Sequence, residues 1–199
     1  LMFRLGDFYE MFFDDAVTAS RELELVLTGR ACGQEERAPM CGVPFHSADS
    51  YMARLVAKGY KVAICEQMED PALAKGLVKR EVVRVLTPGT VIENSMLNEG
   101  RNNFLASVYF TGESAGVCFI DVSTGSVNLT ELAAPALPDK IINEIGRFMP
   151  SEIVFNSASS SLTKVFSFIS NKTEALAQEL GDNYFDPQSS AVCTSPQMK

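Results

Sequence analysis

The chain has 199 residues, of which 46% are hydrophobic and 21% are charged, a balance that is typical of a folded globular protein and excludes a disordered one. The sequence contains no run of about 18 apolar residues, the length that a membrane-spanning helix needs, and no recognisable secretory signal. Its net charge of −8 excludes nucleic-acid binding through overall charge, because such binding needs a surplus of lysine and arginine.

The first half of the chain predicts a mixed α/β domain. The aromatic-rich segment 8–13 favours a strand, and Asp14 and Asp15 favour the first turn of a helix that continues to Leu23. A short apolar run spans 40–43, and Ser47 can cap a helix over 48–58. Residues 61–65 and 81–86 are rich in β-branched side chains and predict two more strands.

A turn-rich stretch then divides the chain. Thr87-Pro88-Gly89-Thr90 and the asparagines that follow are typical of loops. We therefore predict a first domain over residues 1–88, a linker over 89–103 and a second domain over 104–199. The chain also opens inside an apolar run, so we expect it to be cut from a longer protein.

The second half predicts an antiparallel meander followed by alternating helices and strands. The three strands are expected over 104–110, 116–122 and 126–132. Pro138 favours the first turn of a helix that ends at Phe148, and a strand over 152–155 and a helix over 162–169 follow. The order βββαβα is that of a ribonuclease H-like domain. Because the residues after Gly181 are polar, we expect this domain to be truncated.

The sequence offers no convincing catalytic or metal site. It lacks a phosphate-binding GxxxxGK[ST] loop, a GxSxG elbow and an HExxH pair. Asp121 and Glu144 lie where a ribonuclease H-like nuclease could bind metal ions, but a turn-capping role for Asp121 is favoured because a third carboxylate is not in place. His46 is more readily explained as a structural residue at a turn than as a general base.

The five cysteines are odd in number and form no CxxC pair, which favours a reduced, intracellular protein. A zinc site would have to gather three or four of these scattered thiols, because the chain has a single histidine. We therefore predict that the chain holds no metal and is not itself an enzyme.

The most informative segment is Gly6-Asp7-Phe8-Tyr9-Glu10. On a strand, alternation places Phe8 and Glu10 on one face and Tyr9 on the other. An exposed aromatic ring can wedge between base steps, which costs least at a mispaired base. A carboxylate repels phosphates, so Glu10 would favour only a base that offers it a hydrogen bond. The structural alternative is that Phe8 belongs to the core and Glu10 is a solvated strand residue.

One segment opposes the acidic average and could support DNA binding. Four basic residues stand against the single acidic Glu81 within residues 75–84, a local charge of +3; they are Lys75, Lys79, Arg80 and Arg84. The alternative for the basic residues is that they form a solvated strand face.

Four segments of the first half carry a family resemblance: FRLGDFYEMF at 3–12, PMCGVPFH at 39–46, VAICEQ at 62–67 and VVRVLTPGT at 82–90. In order and spacing they resemble the mismatch-recognition domain of the MutS family of DNA mismatch-repair proteins. The second half resembles, more weakly, the connector domain of that family, which is ribonuclease H-like without nuclease activity.

The resemblance implies site residues by position. The Phe-x-Glu motif of the family falls on Phe8, which would insert beside a mispaired or unpaired base, and on Glu10, which would hydrogen-bond that base. Additional DNA contacts are implied at two apolar and three basic positions, namely Leu5, Met40, Lys79, Arg80 and Arg84.

The resemblance also implies partners. The ligand would be double-stranded DNA with mispairs or small loops, and a MutL-type repair factor would dock on the connector. The full-length protein would be a cytoplasmic, nucleoid-associated homodimer with an ATPase domain that uses ATP and Mg; no cofactor is expected in the present chain, and no membrane partner. The alternative is a protein-interaction module of a MutS paralogue without mismatch sensing, in which Phe8 is buried.

Overall fold

The computed structural model describes residues 1–33, 36–69, 76–98 and 100–186. The chain divides into two compact units. The N-terminal unit comprises Leu1–Pro88 and Glu93–Leu97, and the C-terminal unit comprises Gly89–Ile92 and the residues from Asn98 onward. The stretch 89–103, predicted to be a linker, therefore contributes residues to both units.

The N-terminal unit contains a six-stranded mixed sheet and two helices. Its elements in chain order are β1 (Met2–Leu5), β2 (Phe8–Phe12), α1 (Phe13–Leu23), β3 (Thr28–Arg30), β4 (Ala38–Pro44), α2 (Ala48–Ala57), β5 (Val62–Gln67) and β6 (Arg80–Leu86). The strand order is β3-β4-β2-β1-β5-β6. Neighbouring strands are antiparallel except β1 and β5, which are parallel.

The helices cover one face of this sheet and leave the other open. Alternation along β2 buries Tyr9 and Met11 and exposes Phe8 on the opposite side, as a strand with one core face requires. The Cys41 thiol of β4 lies under α1, with its sulfur 3.4 Å from the Ala16 carbonyl oxygen. The register places a set of side chains together on the uncovered side, which we call the open face; they include Phe3, Leu5, Phe8, Glu10, Phe12, Met40 and Gly42.

The C-terminal unit has a five-stranded sheet in the order β11-β10-β7-β8-β9. Its elements are β7 (Phe104–Phe110), β8 (Ser114–Asp121), β9 (Ser126–Ala133), α3 (Leu137–Phe148), β10 (Glu152–Phe155), α4 (Thr163–Lys172) and β11 (Leu176–Glu179). Strands β7 to β9 form the predicted antiparallel meander, and β10 lies parallel to both β7 and β11. The predicted mixed α/β fold class is therefore confirmed, and the element order follows the ribonuclease H-like layout with one further strand.

The core of the C-terminal unit is built from the inward-facing strand residues and from the apolar stripes of α3 and α4. Phe119 is 1% exposed and stacks on Phe148 at a centroid distance of 4.1 Å. The buried Asn156 holds the end of β7, because its side-chain amide both accepts a hydrogen bond from Phe110 N and donates one to Phe110 O, each at 2.9 Å. No described helix is both long and apolar enough to cross a membrane.

Gly89 is required by close packing, which gives a first testable prediction. A Cβ at this position would lie 2.9 Å from Glu152 Cβ and 3.1 Å from Leu105 Cα. Since the backbone of a central strand cannot move aside, we expect Gly89→Ala to lower the free energy of unfolding by about 1–3 kcal/mol. Urea denaturation measures this change.

Gly116 provides the matched control for that substitution. It lies in β8 of the same unit, and a Cβ there would meet no atom within 4 Å. Gly116→Ala should therefore be neutral or slightly stabilising, because alanine loses less backbone entropy than glycine. Equal destabilisation by both variants would contradict the close-packing explanation.

Candidate nucleic-acid interface

Phe8 stands at the first position of β2, immediately after the Gly6-Asp7 turn, and is 48% exposed. Its cross-strand neighbours are Leu5 on β1 and Pro44 on β4. Gly6 has a φ of +60°, a conformation that glycine adopts without strain. The interpretation of Phe8 as a core residue is wrong, because its ring lies on the open face.

The turn that carries Phe8 is braced by neighbouring elements. The Arg4 guanidinium lies 3.3 Å above the centroid of the Phe45 ring, and its Nε donates to Gly6 O at 2.5 Å. Phe45 N donates to Asp7 O at 2.8 Å, and Gly6 N donates to Gln67 Oε1 at 3.2 Å. With both turn residues held, the backbone that carries Phe8 is fixed in place before any ligand arrives.

Tyr9 anchors the same strand from the covered face. Its side chain is buried, and its hydroxyl donates a hydrogen bond to Glu66 Oε1 on β5. Desolvation, reinforced by this hydrogen bond and by the charge of Glu66, raises the pKa of Tyr9 well above its ordinary value. The phenol thus stays neutral and ties β2 to β5 while its neighbours in sequence face outward.

Glu10 lies on the open face, two residues beyond Phe8, and forms an ion pair. Arg30 Nη1 on β3 donates to Glu10 Oε2 at 2.5 Å. The residue of β4 opposite Glu10 is Gly42, and a Cβ there would be in ordinary van der Waals contact with Glu10 Cγ, at 3.5 Å. Sequence reasoning missed Arg30, because a three-residue strand that contains a glycine gives no pattern to detect.

The two apolar positions implied by the family resemblance, Leu5 and Met40, also lie on the open face. Leu5 lines an open depression of about 630 Å³ on this face, together with Leu1, Phe3, Phe12, Phe13, Asp14, Asp15 and Arg80. Met40 is half-buried and pairs in register with Phe12. The structure thus brings Phe8, Glu10, Leu5 and Met40 to one surface.

The three basic positions implied by the resemblance lie on both faces of β6 and at the residue just before it. Arg80 pairs in register with Gln67 and lies on the open face, where it donates to Arg4 O at 3.2 Å and Val78 O at 3.0 Å. Lys79 is exposed and lies 2.6 Å from Glu81. Arg84 pairs with Ile64, which shares the covered face with Met2, and its guanidinium binds Glu93.

This distribution separates the basic residues that the sequence grouped together. Arg80 lies on the open face, separated from β2 by β1 and β5, whereas Arg84 points to the other side of the sheet and is bound by a carboxylate. Lys75, which contributed to the local charge of +3, lies outside the described residues. The phosphate-binding roles of Lys79, Arg80 and Arg84 stay predictions.

The two carboxylates considered for catalysis, Asp121 and Glu144, contact neighbouring residues of the fold. Asp121 Oδ1 accepts hydrogen bonds from Ser123 N at 2.9 Å and Thr124 N at 3.2 Å, and Oδ2 accepts one from Asn103 N at 3.2 Å. The interpretation of Asp121 as a turn cap is therefore confirmed. Glu144 lies 3.7 Å from Arg147 on the same helix. Within the described ranges, no cluster of three or more His, Cys, Asp or Glu side chains could hold a metal ion.

The buried Asp121 carboxylate gives a second testable prediction. Burial alone would raise its pKa, but hydrogen bonds from Ser123, Asn103 and Thr124 outweigh that effect and lower the pKa below 3.8. Its stabilising contribution is therefore present above pH 3.8 and is lost as the pH falls through the lowered folded-state pKa. Acid unfolding curves of the wild type and Asp121→Asn should converge at low pH and diverge above about pH 4, with the wild type more stable.

Two family models and several known proteins match this chain. The family model described as MutS domain I matches residues 1–95, and MutS domain II matches residues 103–189. A protein from Ruminiclostridium cellulolyticum named DNA mismatch repair protein MutS is 54% identical over 186 residues, which is 94% of this chain and 21% of that protein. Proteins of the same name from Acetivibrio thermocellus and Clostridioides difficile are 53% and 52% identical, again over 94% of this chain and over 22% and 19% of their own lengths.

Two α/β units, matched in chain order by the family models for MutS domain I and MutS domain II, define the class of the chain as a pair of MutS-type domains. The chain belongs to the MutS family. It spans about a fifth of the length of the curated relatives that it matches.

Proposed function

We propose that the N-terminal unit recognises mispaired or unpaired bases in double-stranded DNA, with Phe8 as an aromatic wedge and Glu10 as a hydrogen-bond acceptor. The observation that carries this proposal is the half-exposed Phe8 ring on a braced turn, beside a carboxylate on the same face. A wedge must be both accessible and fixed, because a mobile ring would lose entropy on insertion.

The physical basis of recognition is the cost of opening the base stack. Inserting a ring between base steps costs a few kcal/mol, and the cost is smallest where a base is already poorly paired. DNA that kinks readily at a mismatch lowers the deformation energy as well. Selectivity would thus depend on local deformability and on the Glu10 contact, with little readout of sequence.

The acidic composition of the chain fits a domain that probes the base stack better than one that holds DNA by its phosphates. A domain that touches few phosphates does not need a basic surface, provided that other parts of the protein supply the counterion-releasing contacts. We propose that these contacts, the ATPase activity with its ATP and Mg, and dimerisation belong to other domains of a full-length, cytoplasmic and nucleoid-associated protein. The C-terminal unit would then transmit the recognition signal and dock a MutL-type repair factor.

The alternative is a protein-interaction module of a MutS paralogue that does not sense mismatches. That hypothesis requires a buried Phe8, whereas the ring is about half exposed. The exposed ring therefore favours the sensing hypothesis.

A binding experiment tests the proposed function. A full-length MutS protein that carries this sequence is titrated with one duplex, with and without a single G·T mispair, at two salt concentrations. We expect tighter binding to the mismatched duplex and nearly the same salt dependence for both, because the mismatch adds no phosphate contacts. Equal affinity for the two duplexes would contradict the proposal.

A further inference from the structure

We propose that Arg30 is a positioning residue for mismatch discrimination: its ion pair holds one oxygen of Glu10 and leaves the other to accept a hydrogen bond from a base, on the same face as Phe8. This inference rests on the proposed function. It goes further by assigning a role to a residue on a different strand, which reaches the site only in the folded sheet.

The geometry of the pair supports a positioning role. Arg30 Nη1 contacts Glu10 Oε2 at 2.5 Å, and in the described part of the chain the second carboxylate oxygen, Oε1, has no hydrogen-bond partner. The Glu10 side chain is 18% exposed and that of Arg30 is 52% exposed. A carboxylate has about four acceptor sites, so one bound oxygen leaves acceptor capacity for a ligand.

The charge of Arg30 changes how Glu10 meets DNA. An unpaired carboxylate on this face would repel the phosphates of every duplex, matched or mismatched. With Arg30 in contact, the pair is close to neutral at a distance, while Oε1 still accepts a hydrogen bond at short range. The ring N–H of a guanine or thymine becomes available when the base is displaced from its pair as the stack opens, and such an N–H is a donor from which this oxygen would accept a hydrogen bond.

The pair is also in a position to fix the orientation of Glu10. A glutamate side chain loses rotamer freedom when it binds a ligand, and a side chain that is already held loses less. Tyr9 fixes the backbone of the same strand from the covered face, so the backbone and one carboxylate oxygen of Glu10 are both held. Removing Arg30 should therefore weaken the Glu10 contact without removing Glu10.

A double-mutant cycle tests this inference on a full-length MutS protein that carries this sequence. The wild type, Arg30→Met, Glu10→Gln and the double variant are each titrated with matched and G·T duplexes. We expect Arg30→Met to lower the mismatched-to-matched affinity ratio by about threefold to tenfold. In the Glu10→Gln background the same substitution should change the ratio less than twofold or so, because the residue that it positions is already altered.

The rival explanation is that Arg30 contacts a phosphate directly. In that case Arg30→Met would weaken binding to both duplexes by the same factor, lower the salt slope by about one, and act independently of Glu10. That result would overturn the inference and leave the proposed function standing. Partial recovery of the affinity ratio in Arg30→Lys, which retains the charge but not the planar fork, would support it.

Two controls keep the outcomes separate. Arg21→Met removes a charge from the exposed surface of α1, away from the open face, and should leave the affinity ratio unchanged. Urea unfolding of each variant checks that the fold is retained, which is expected because the Arg30 side chain is about half exposed. If Glu10→Gln alone leaves the ratio unchanged, the Glu10 part of the proposed function fails and the inference fails with it.

Discussion

Replacing Phe8 by alanine is expected to remove most of the preference for mismatched DNA while binding to a matched duplex persists. Stacking of a base on an aromatic side chain contributes about 1–3 kcal/mol, which corresponds to roughly a fivefold to 150-fold loss in affinity for the mismatched duplex. In the matched duplex the base stack stays closed, so the Phe8 ring contributes no stacking energy to binding. The measurement is the ratio of the two dissociation constants in a full-length MutS protein that carries this sequence.

Loss of stability is not expected to confound this experiment, because the Phe8 ring is about half exposed and its truncation leaves no closed cavity in the core. Tyr184→Ala is the matched control, since Tyr184 is a 68% exposed aromatic residue of the C-terminal unit. It should leave both dissociation constants unchanged. A Phe8→Ala protein that still discriminates like the wild type would remove the wedge from the mechanism and favour the interaction-module alternative.

Of the substitutions considered, Phe119→Ala should lower the free energy of unfolding the most. Its side chain is 1% exposed, stacks on Phe148 and lies edge-on to Phe104 at a centroid distance of 6.4 Å. Truncating a buried phenylalanine typically costs about 3–5 kcal/mol, through lost burial and the cavity that remains. We expect the urea midpoint of the C-terminal unit to fall accordingly, with hydrogen-exchange protection lost across β7 and β8.

Phe8→Ala serves as the control for Phe119→Ala, because it is the same chemical change at an exposed position. It should lower the free energy of unfolding by less than about 1 kcal/mol. If Phe119→Ala were as mild, the aromatic cluster around Phe148 would not be the centre of the core that its burial indicates.

The regular parts of the fold could be predicted from the sequence because they depend on local periodicity. The apolar spacing of Leu137–Phe148 and the alternation along Phe104–Phe110 appear as predicted, with ends shifted by a residue at most. The sequence did not predict strands β1, β3 and β11, and it indicated β4 only as a short apolar run over 40–43. Strands β1, β3 and β11 are three or four residues long, and their strand geometry comes from hydrogen bonds to neighbours distant in sequence, which no local pattern reveals.

The candidate site shows the same division. Phe8 and Glu10 could be identified from the sequence, because two positions on one strand share a face by geometry alone. The faces on which the basic residues of β6 lie could not be predicted from spacing alone. On a regular strand, two residues that are four positions apart lie on the same face, which would place Arg80 and Arg84 together. The register of β6 against β5 shifts at a bulge between Ile64 and Cys65. Arg80 and Arg84 therefore lie on opposite faces of the sheet.

The sequence by itself determined the family and the mixed α/β class, and it singled out Phe8 and Glu10 as candidate residues on one strand face, because each of these depends on residue identity and spacing within a short segment. Only the tertiary structure decided that Phe8 is exposed, that the Glu10 carboxylate is paired with Arg30, and that Arg84 is bound to Glu93. These facts depend on strand order and register, and therefore on the packing of the whole sheet against its helices. Charge partners across a sheet are fixed by long-range pairing, which a short stretch of sequence does not contain.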